Sequence, residues 1–494
     1  MPEASDQPGI VLLGWRANGD GFDVALAVHR ALASGARAWW MQGAGGPADA
    51  GDYLLELSAP QRAALARLGL AIGAWRGDVP ADARQLARPA VRLFAGRASQ
   101  FPYFAYYALC LLRLGIDYVP CDGSALAHGA LDDANLLILP GGFATWGIDA
   151  AEDAPGADAR VRDFLARGGA AIGSCGGAFY LSAGRPAWTG AAQAKPLYTH
   201  EYLQSGVGIV SVALAEGPLA FGCPPTMEVP YYHGPIYDAL GSGVDVAATF
   251  SALALPGRLS IDNPLDRERF ERDMAGKPAI LVTEGRRGRA VLFSPHPEMG
   301  DLIRKYIALD GYVRHYLPIR GAETMRDTLR HYRGADAPSF RLVSNAVDML
   351  LSGYRSAHGV ASDEPRARPS GSDDRPRRDR SSTDEIALAA FARRTLAALR
   401  DLGAGGEADL LRDLASRLSQ RIAPAADHAA AVMMESAGDD DLLPAWRHLA
   451  SAVGARDVSQ ATVAQRLMEA ELAISLLECW TRVAIWNRAL AEAR

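Results

Sequence analysis

Gly168-Gly-Ala-Ala-Ile-Gly-Ser-Cys-Gly-Gly-Ala-Phe-Tyr-Leu181 reads as a buried strand that turns sharply into a helix. Ala170–Gly173 is short, apolar and uncharged, the pattern of a parallel strand covered on both faces. Small residues flank Cys175, with Gly173 before it and Gly176 and Gly177 after it. A strained strand-to-helix turn needs neighbours without bulky Cβ substituents, so this is the composition of a nucleophile elbow. The helix that starts after the cysteine favours the thiolate, because its amino end carries the positive end of the helix dipole.

Two further stretches belong with it. Leu136-Leu-Ile-Leu-Pro-Gly-Gly-Phe143 is an apolar strand ending in a Gly-Gly turn. Arg289-Ala-Val-Leu-Phe-Ser-Pro-His-Pro-Glu-Met-Gly300 is a strand ending at His296, with Glu298 two residues on. A nucleophile, a base and an orienting carboxylate thus each stand at the carboxyl end of a predicted strand, where open α/β sheets gather their active sites. His296 is expected to take the proton of Cys175, and Glu298 to fix the imidazole tautomer and stabilise imidazolium. Taken singly each signal is weak: a lone cysteine in an apolar strand is usually inert core. Their conjunction is what points to thiol chemistry.

The surrounding chain supplies the sheet. Apolar or β-branched runs at Ile10–Leu13, Ala36–Met41, Ala90–Phe94, Asp117–Val119, Leu136–Leu139, Ala170–Gly173, Gly208–Val212, Ala279–Val282 and Ala290–Phe293 alternate with helices such as Tyr103–Leu114 and Ala159–Arg167. That alternation predicts an α/β fold with a mostly parallel sheet and flanking helices. Residues 1–88 are expected to form a small α/β unit of their own. Its first loop, Gly14–Gly21, fits neither a dinucleotide fingerprint nor a phosphate loop and reads as a turn.

The region 89–320 resembles the class I glutamine amidotransferase-like superfamily, whose members combine a strand–PGG loop, a G-x-C-x-G elbow and a terminal HPE. Within it the sequence looks most like the domain named after the amino-terminal part of biotin-protein ligases. The likeness implies a flavodoxin-like sheet, Cys175 as nucleophile, His296 as base and Glu298 as third triad member. It also implies an oxyanion hole from the backbone N–H groups of Gly142 and Gly176, with Gly141, Phe143, Gly177 and Phe179 beside the substrate. Glu228–Tyr237 resembles the family's Tyr-rich, Gly-Pro loop, so Tyr232 and His233 are expected to line the pocket. One position departs from the family: the glutaminase motif C-x-G-x-Q has Phe179 at its last place, which speaks against glutamine as substrate. No cofactor and no metal are implied. The His–Glu pair within Thr199–Tyr202 has no second ligand at helical spacing.

Beyond the sheet, 321–358 reads as a helical extension and 359–383 as a disordered linker, dense in Pro, Ser, Asp and Arg and poor in large apolar residues. Residues 384–494 carry helical periodicity throughout and predict a bundle of four or five helices. Ile386, Phe391, Leu396 and Leu399 share one face. A second run, Leu410, Leu411, Leu414, Leu418 and Ile422, is expected to stop before Pro424. A last long helix runs over about 458–493. Its Cys479 and tryptophans read as core, as does Cys110, whereas His29, His315 and His331 read as surface residues.

Composition limits the remaining choices. The 494 residues carry 51 Lys and Arg against 57 Asp and Glu, a net charge of −6, which disfavours nucleic acid as partner. No uncharged apolar stretch approaches membrane-spanning length. The amino-terminal residues lack a basic region followed by an apolar one, so no secretory leader is expected. Five scattered cysteines form no CxxC pair and suggest reduced thiols in the cytoplasm. The leading expectation is a cysteine-dependent amidase or amidotransferase acting through a thioester on an amide or acyl small molecule. A peptidase or γ-glutamyl hydrolase would use the same triad. The alternative from another class is a catalytically silent ligand-binding scaffold whose helical region 384–494 recruits a partner or self-associates.

Overall fold

The computed structural model describes residues 8–99, 101–142, 147–197, 207–254, 265–285, 288–306, 337–352, 383–397, 399, 406–435, 448 and 463–493. The linker 359–383 (Thr383 excepted), Phe143, Thr199, His200, His315 and His331 lie outside the described residues, as does most of the 321–358 extension.

The chemistry-bearing strands lie in a nine-stranded sheet. Its strands are β6 (Val91–Phe94), β7 (Tyr118–Cys121), β8 (Leu136–Leu139), β9 (Ala170–Ser174), β11 (Val207–Leu214), β12 (Thr226–Tyr232), β14 (Val244–Leu253), β15 (Pro278–Gly285) and β16 (Gly288–Phe293). The order is β12-β11-β14-β15-β16-β9-β8-β6-β7. From β16 to β7 every neighbouring pair is parallel. From β12 to β16 every pair is antiparallel. The expected parallel arrangement therefore describes one half of the sheet, and an antiparallel wing completes it. β8 and β9 are buried along their whole length, as strands covered on both faces must be. Two short strands, β10 (Ala194–Pro196) and β13 (Tyr237–Leu240), pair as a separate antiparallel ribbon.

The amino-terminal unit is a five-stranded sheet in the order β4-β1-β3-β2-β5, built from β1 (Gly9–Leu13), β2 (Arg37–Trp40), β3 (Tyr53–Leu57), β4 (Gly73–Ala74) and β5 (Arg84–Gln85). All its pairs are antiparallel. The turn after β1 is held by Asp52, which accepts from the backbone N–H of Trp15 and of Asp49, each at 2.9 Å. His29, expected at the surface, is buried on helix Asp23–Ala33, with Nδ1 2.9 Å from Leu114 O and Nε2 3.3 Å from Asp348 Oδ1. Asp348 also accepts from Tyr53 Oη at 2.6 Å. The helix Phe340–Leu351 that carries it is buried on every residue. A charged group on such a helix must find partners inside the protein, and it finds them on the amino-terminal unit.

Helix Tyr103–Arg113 shows why the carboxyl-terminal region is where it is. Every residue from Phe104 to Leu112 is buried. A helix apolar all round must be covered all round. One side faces the sheet, and the carboxyl-terminal helix Val463–Ala491 packs on the other, with Tyr106 Oη 3.3 Å from Met468 Sδ. Helices Thr383–Ala397 and Gly406–Glu435 pack in turn on Val463–Ala491. The second of these runs straight through Pro424 instead of stopping before it. Proline costs one backbone bond and roughly 3 kcal/mol in a helix interior. Leu418, Ile422, Ala425 and Ala429 are buried on both sides of it, and that packing keeps the helix going. Trp480 and Trp486 are buried as expected, while Cys479 is only half-buried. Among the described residues, no helix is long and apolar enough to cross a membrane.

Candidate active site

The strand order makes β9 the neighbour of both β8 and β16, so the three stretches singled out in the sequence end side by side. Cys175 follows β9 directly, with φ 51° and ψ −107°, a conformation sterically unfavourable for any residue with a side chain. Several contacts fix it there. Its N–H donates to Phe293 O on β16 at 2.9 Å, and its carbonyl accepts from Phe179 N at 2.9 Å. A Cβ on Gly177 would come 1.9 Å from Leu139 O, and one on Gly173 2.6 Å from the Gly177 backbone. Glycine at these two places is therefore a packing requirement of the elbow.

His296 and Glu298 are both buried, and His296 Nδ1 donates to Glu298 Oε1 at 2.7 Å. The backbone of His296 is tied to the antiparallel wing, its N–H donating to Pro230 O at 2.8 Å. Burial alone would disfavour the imidazolium. The Glu298 carboxylate and the Cys175 sulfur outweigh it and push the imidazole up to about 10. Nε2 makes no hydrogen bond of ordinary geometry among the described residues. The thiol instead donates to Tyr232 O at 2.9 Å. Sulfur and imidazole are near enough for the sulfur to raise the imidazole's pKa. Such loose contacts are common before substrate binds.

Two further residues support the carboxylate, and sequence reasoning missed both. Ser174 Oγ donates to Glu298 Oε2 at 2.9 Å, and Tyr107 Oη lies 2.5 Å from Ser174 Oγ. Ser174 and Tyr107 are fully buried. The result is a chain Tyr107–Ser174–Glu298–His296 in which both carboxylate oxygens have donors. Ser174 adjoins Cys175 in sequence. Tyr107 lies far from it, and only the all-apolar character of its helix marks that segment as interior.

The remaining expected site residues fall as follows. The Tyr232 ring meets the His296 ring edge-on at 5.9 Å between centroids. His233 adopts φ 50°, and its pKa is lowered, first by burial and then by His296. Gly141 is buried against Cys175 and His296: a Cβ there would come 2.7 Å from His296 Cε1 and 3.4 Å from Cys175 Cβ. Gly142 has φ 97° and is exposed. Gly176 is the first residue of helix Gly176–Leu181, a position whose N–H has no partner within the helix. Phe179 faces away from a polar role, its ring 5.7 Å from that of Trp188. Among the described residues the buried Tyr237 Oη has no hydrogen-bond partner; burial, and then Cys175, push its pKa well up.

Residues 105–198 match the model of the CobB/CobQ-like glutamine amidotransferase domain, a stretch that includes Cys175 but neither His296 nor Glu298. No curated protein matches the chain. Among solved structures, a glutamine amidotransferase from Thermotoga maritima is 13% identical over 53% of this chain and 98% of its own, with a TM-score of 0.33. A second glutamine amidotransferase is 20% identical over 42% of this chain and 90% of its own, with a TM-score of 0.28.

Proposed function

We propose that the chain is a cysteine-dependent amidase or amidotransferase that forms a thioester at Cys175. The observation that carries this is the His296–Glu298 pair, buried and hydrogen-bonded beside an elbow cysteine. A buried imidazole held by a carboxylate is an expensive arrangement to maintain for packing alone. The match of 105–198 to a glutamine amidotransferase domain supports the same chemistry.

The residues suggest the steps. His296 Nε2 takes the thiol proton, and imidazolium is stabilised by Glu298, whose own oxygens are held by His296 and Ser174. Sulfur adds to the substrate carbonyl carbon, and the π pair moves to oxygen, met by the N–H groups of Gly142 and Gly176. Collapse of the adduct expels the amine, which leaves with the proton from His296. Water or an acceptor amine then gives its proton to His296 and attacks the thioester, releasing product and thiol. Tyr232, His233 and Gly141 belong to the substrate pocket in this reading. The apolar packing of Phe179 favours an acyl group other than glutamine's.

Thiol labelling tests the proposal. Iodoacetamide at pH 6 should alkylate Cys175 selectively over Cys110, Cys121, Cys223 and Cys479. His296→Ala should abolish the preference. Labelling of Cys175 no faster than the other four would favour the silent scaffold.

A further inference from the structure

Ser99 ends the turn Arg97–Ser99 just past β6, the strand next to β8. It is fully buried, and its Oγ donates to Gly141 O at 3.0 Å. Water cannot compete for this bond, so the Gly141 carbonyl is fixed toward Ser99. The peptide unit is planar and trans, which points a carbonyl and the following N–H in opposite directions. The bond to Ser99 therefore turns the Gly142 N–H away from Ser99. Gly141 itself lies against His296 and Cys175, so this peptide borders the reacting sulfur. Rotated by half a turn, it would offer its carbonyl oxygen to the site in place of a donor. A carbonyl facing a developing oxyanion repels it, whereas a preorganised N–H stabilises it without reorganisation. Glycine at 141 and 142 leaves the peptide free to adopt either orientation, and backbone preference alone does not choose between them.

We propose that Ser99 is a positioning residue that locks the Gly141–Gly142 peptide with the Gly142 N–H presented to the oxyanion. This deepens the acyl-transfer reading and rests on it. Two reagents separate the roles. Iodoacetamide is attacked at a saturated carbon, loses iodide and develops no oxyanion. p-Nitrophenyl acetate is attacked at its carbonyl: a C–S bond forms, the π pair goes to oxygen, and collapse expels p-nitrophenolate to leave an acetyl thioester.

The experiment measures both rates at Cys175, with the acetyl group mapped by mass spectrometry and Cys175→Ala as background. Ser99→Ala should slow acetylation by ~10–100-fold, less than or comparable to loss of one oxyanion donor, with alkylation unchanged. Ser99→Thr, which keeps the hydroxyl, should recover most of the acetylation rate. Equal loss of both reactions would mean that Ser99 only supports the fold, and no change in either would mean that the bond to Gly141 is idle. Each overturns the proposal. Wild-type Cys175 that alkylates readily but never acetylates would overturn the acyl-transfer reading, and the oxyanion role with it.

Discussion

Lys305 Nζ lies 2.6 Å from Glu471 Oε1, and Tyr306 Oη donates to Glu471 Oε2 at 2.7 Å. Both charges are buried, with 5% and 3% of their side chains exposed, so no water stands in for a lost partner. The pair ties the segment just beyond Glu298 to the carboxyl-terminal helix. Glu471 Oε1 also lies 3.6 Å from Arg421 Nη1. Removing Glu471 strands Lys305, at a cost of about 3–5 kcal/mol, whereas replacing a buried polar cluster by apolar residues of similar size is often nearly neutral. Glu471→Leu should therefore lower the urea midpoint sharply, and adding Lys305→Met and Tyr306→Phe, which removes the hydroxyl that donates to Glu471 Oε2, should recover most of it. If the single and triple variants unfold alike, the ion pair is not what holds this junction.

The carboxylate chain predicts a graded series. Ser174→Ala leaves Glu298 Oε2 buried without its donor, a loss of about 1–3 kcal/mol. Roughly tenfold or more should be lost from the acetylation rate, with little change in substrate affinity. Tyr107→Phe removes only the outer hydroxyl and should cost less. Glu298→Gln should cost more than either and less than Cys175→Ala, which removes the nucleophile itself. Burst rate constants with p-nitrophenyl acetate give the order directly, and an order in which Tyr107→Phe is worst would break the chain as drawn.

Much of this site is legible in the amino-acid sequence, because it sits where sequence signals are local. The elbow needs small residues around Cys175, and the strands before it are too apolar to be anything but interior. What escapes such a reading is set by tertiary contact. β3 (Tyr53–Leu57) and β12 (Thr226–Tyr232) carry no clear strand signal although both are partly buried, since a charged residue and a proline interrupt their apolar pattern. Ser174 reads as one more small residue of the elbow, and its bond to Glu298 joins residues 124 positions apart. His29 stands beside Arg30 on an amphipathic helix and reads as exposed. Asp348, far along the chain, supplies the partner that lets it be buried. Pro424 is a local helix breaker overruled by packing on Val463–Ala491.

The His296 shift predicts a pH dependence of stability. The folded imidazole binds its proton up to about 10, because the Glu298 carboxylate and Cys175 outweigh the burial that opposes it; the unfolded one releases it near its ordinary 6.5. A raised folded value means stability fully present below 6.5 and lost as pH rises through about 10. At about 1.4 kcal/mol per unit, the loss is at most roughly 5 kcal/mol. Urea unfolding at pH 6.5 and pH 10 should show the wild type losing more stability than His296→Gln over this window. Parallel curves for the two proteins would place the imidazole in its ordinary range.

Phe179 makes the last prediction. Its N–H already bonds Cys175 O at 2.9 Å, and its ring is packed on Trp188, so the position next to the elbow offers substrate no polar side chain. A site that lacks a partner for a substrate's polar group leaves that group desolvated and unpaired, a cost of about 1–3 kcal/mol for each lost bond. Free glutamine, whose amino and carboxylate groups both need partners, should therefore be hydrolysed slowly or not at all, even while Cys175 acetylates with an activated ester. Ammonia release followed by a coupled assay settles it against Cys175→Ala as background. Turnover within the ordinary enzymatic range of about 1–10³ per second, lost in that variant, would restore the plain glutaminase reading.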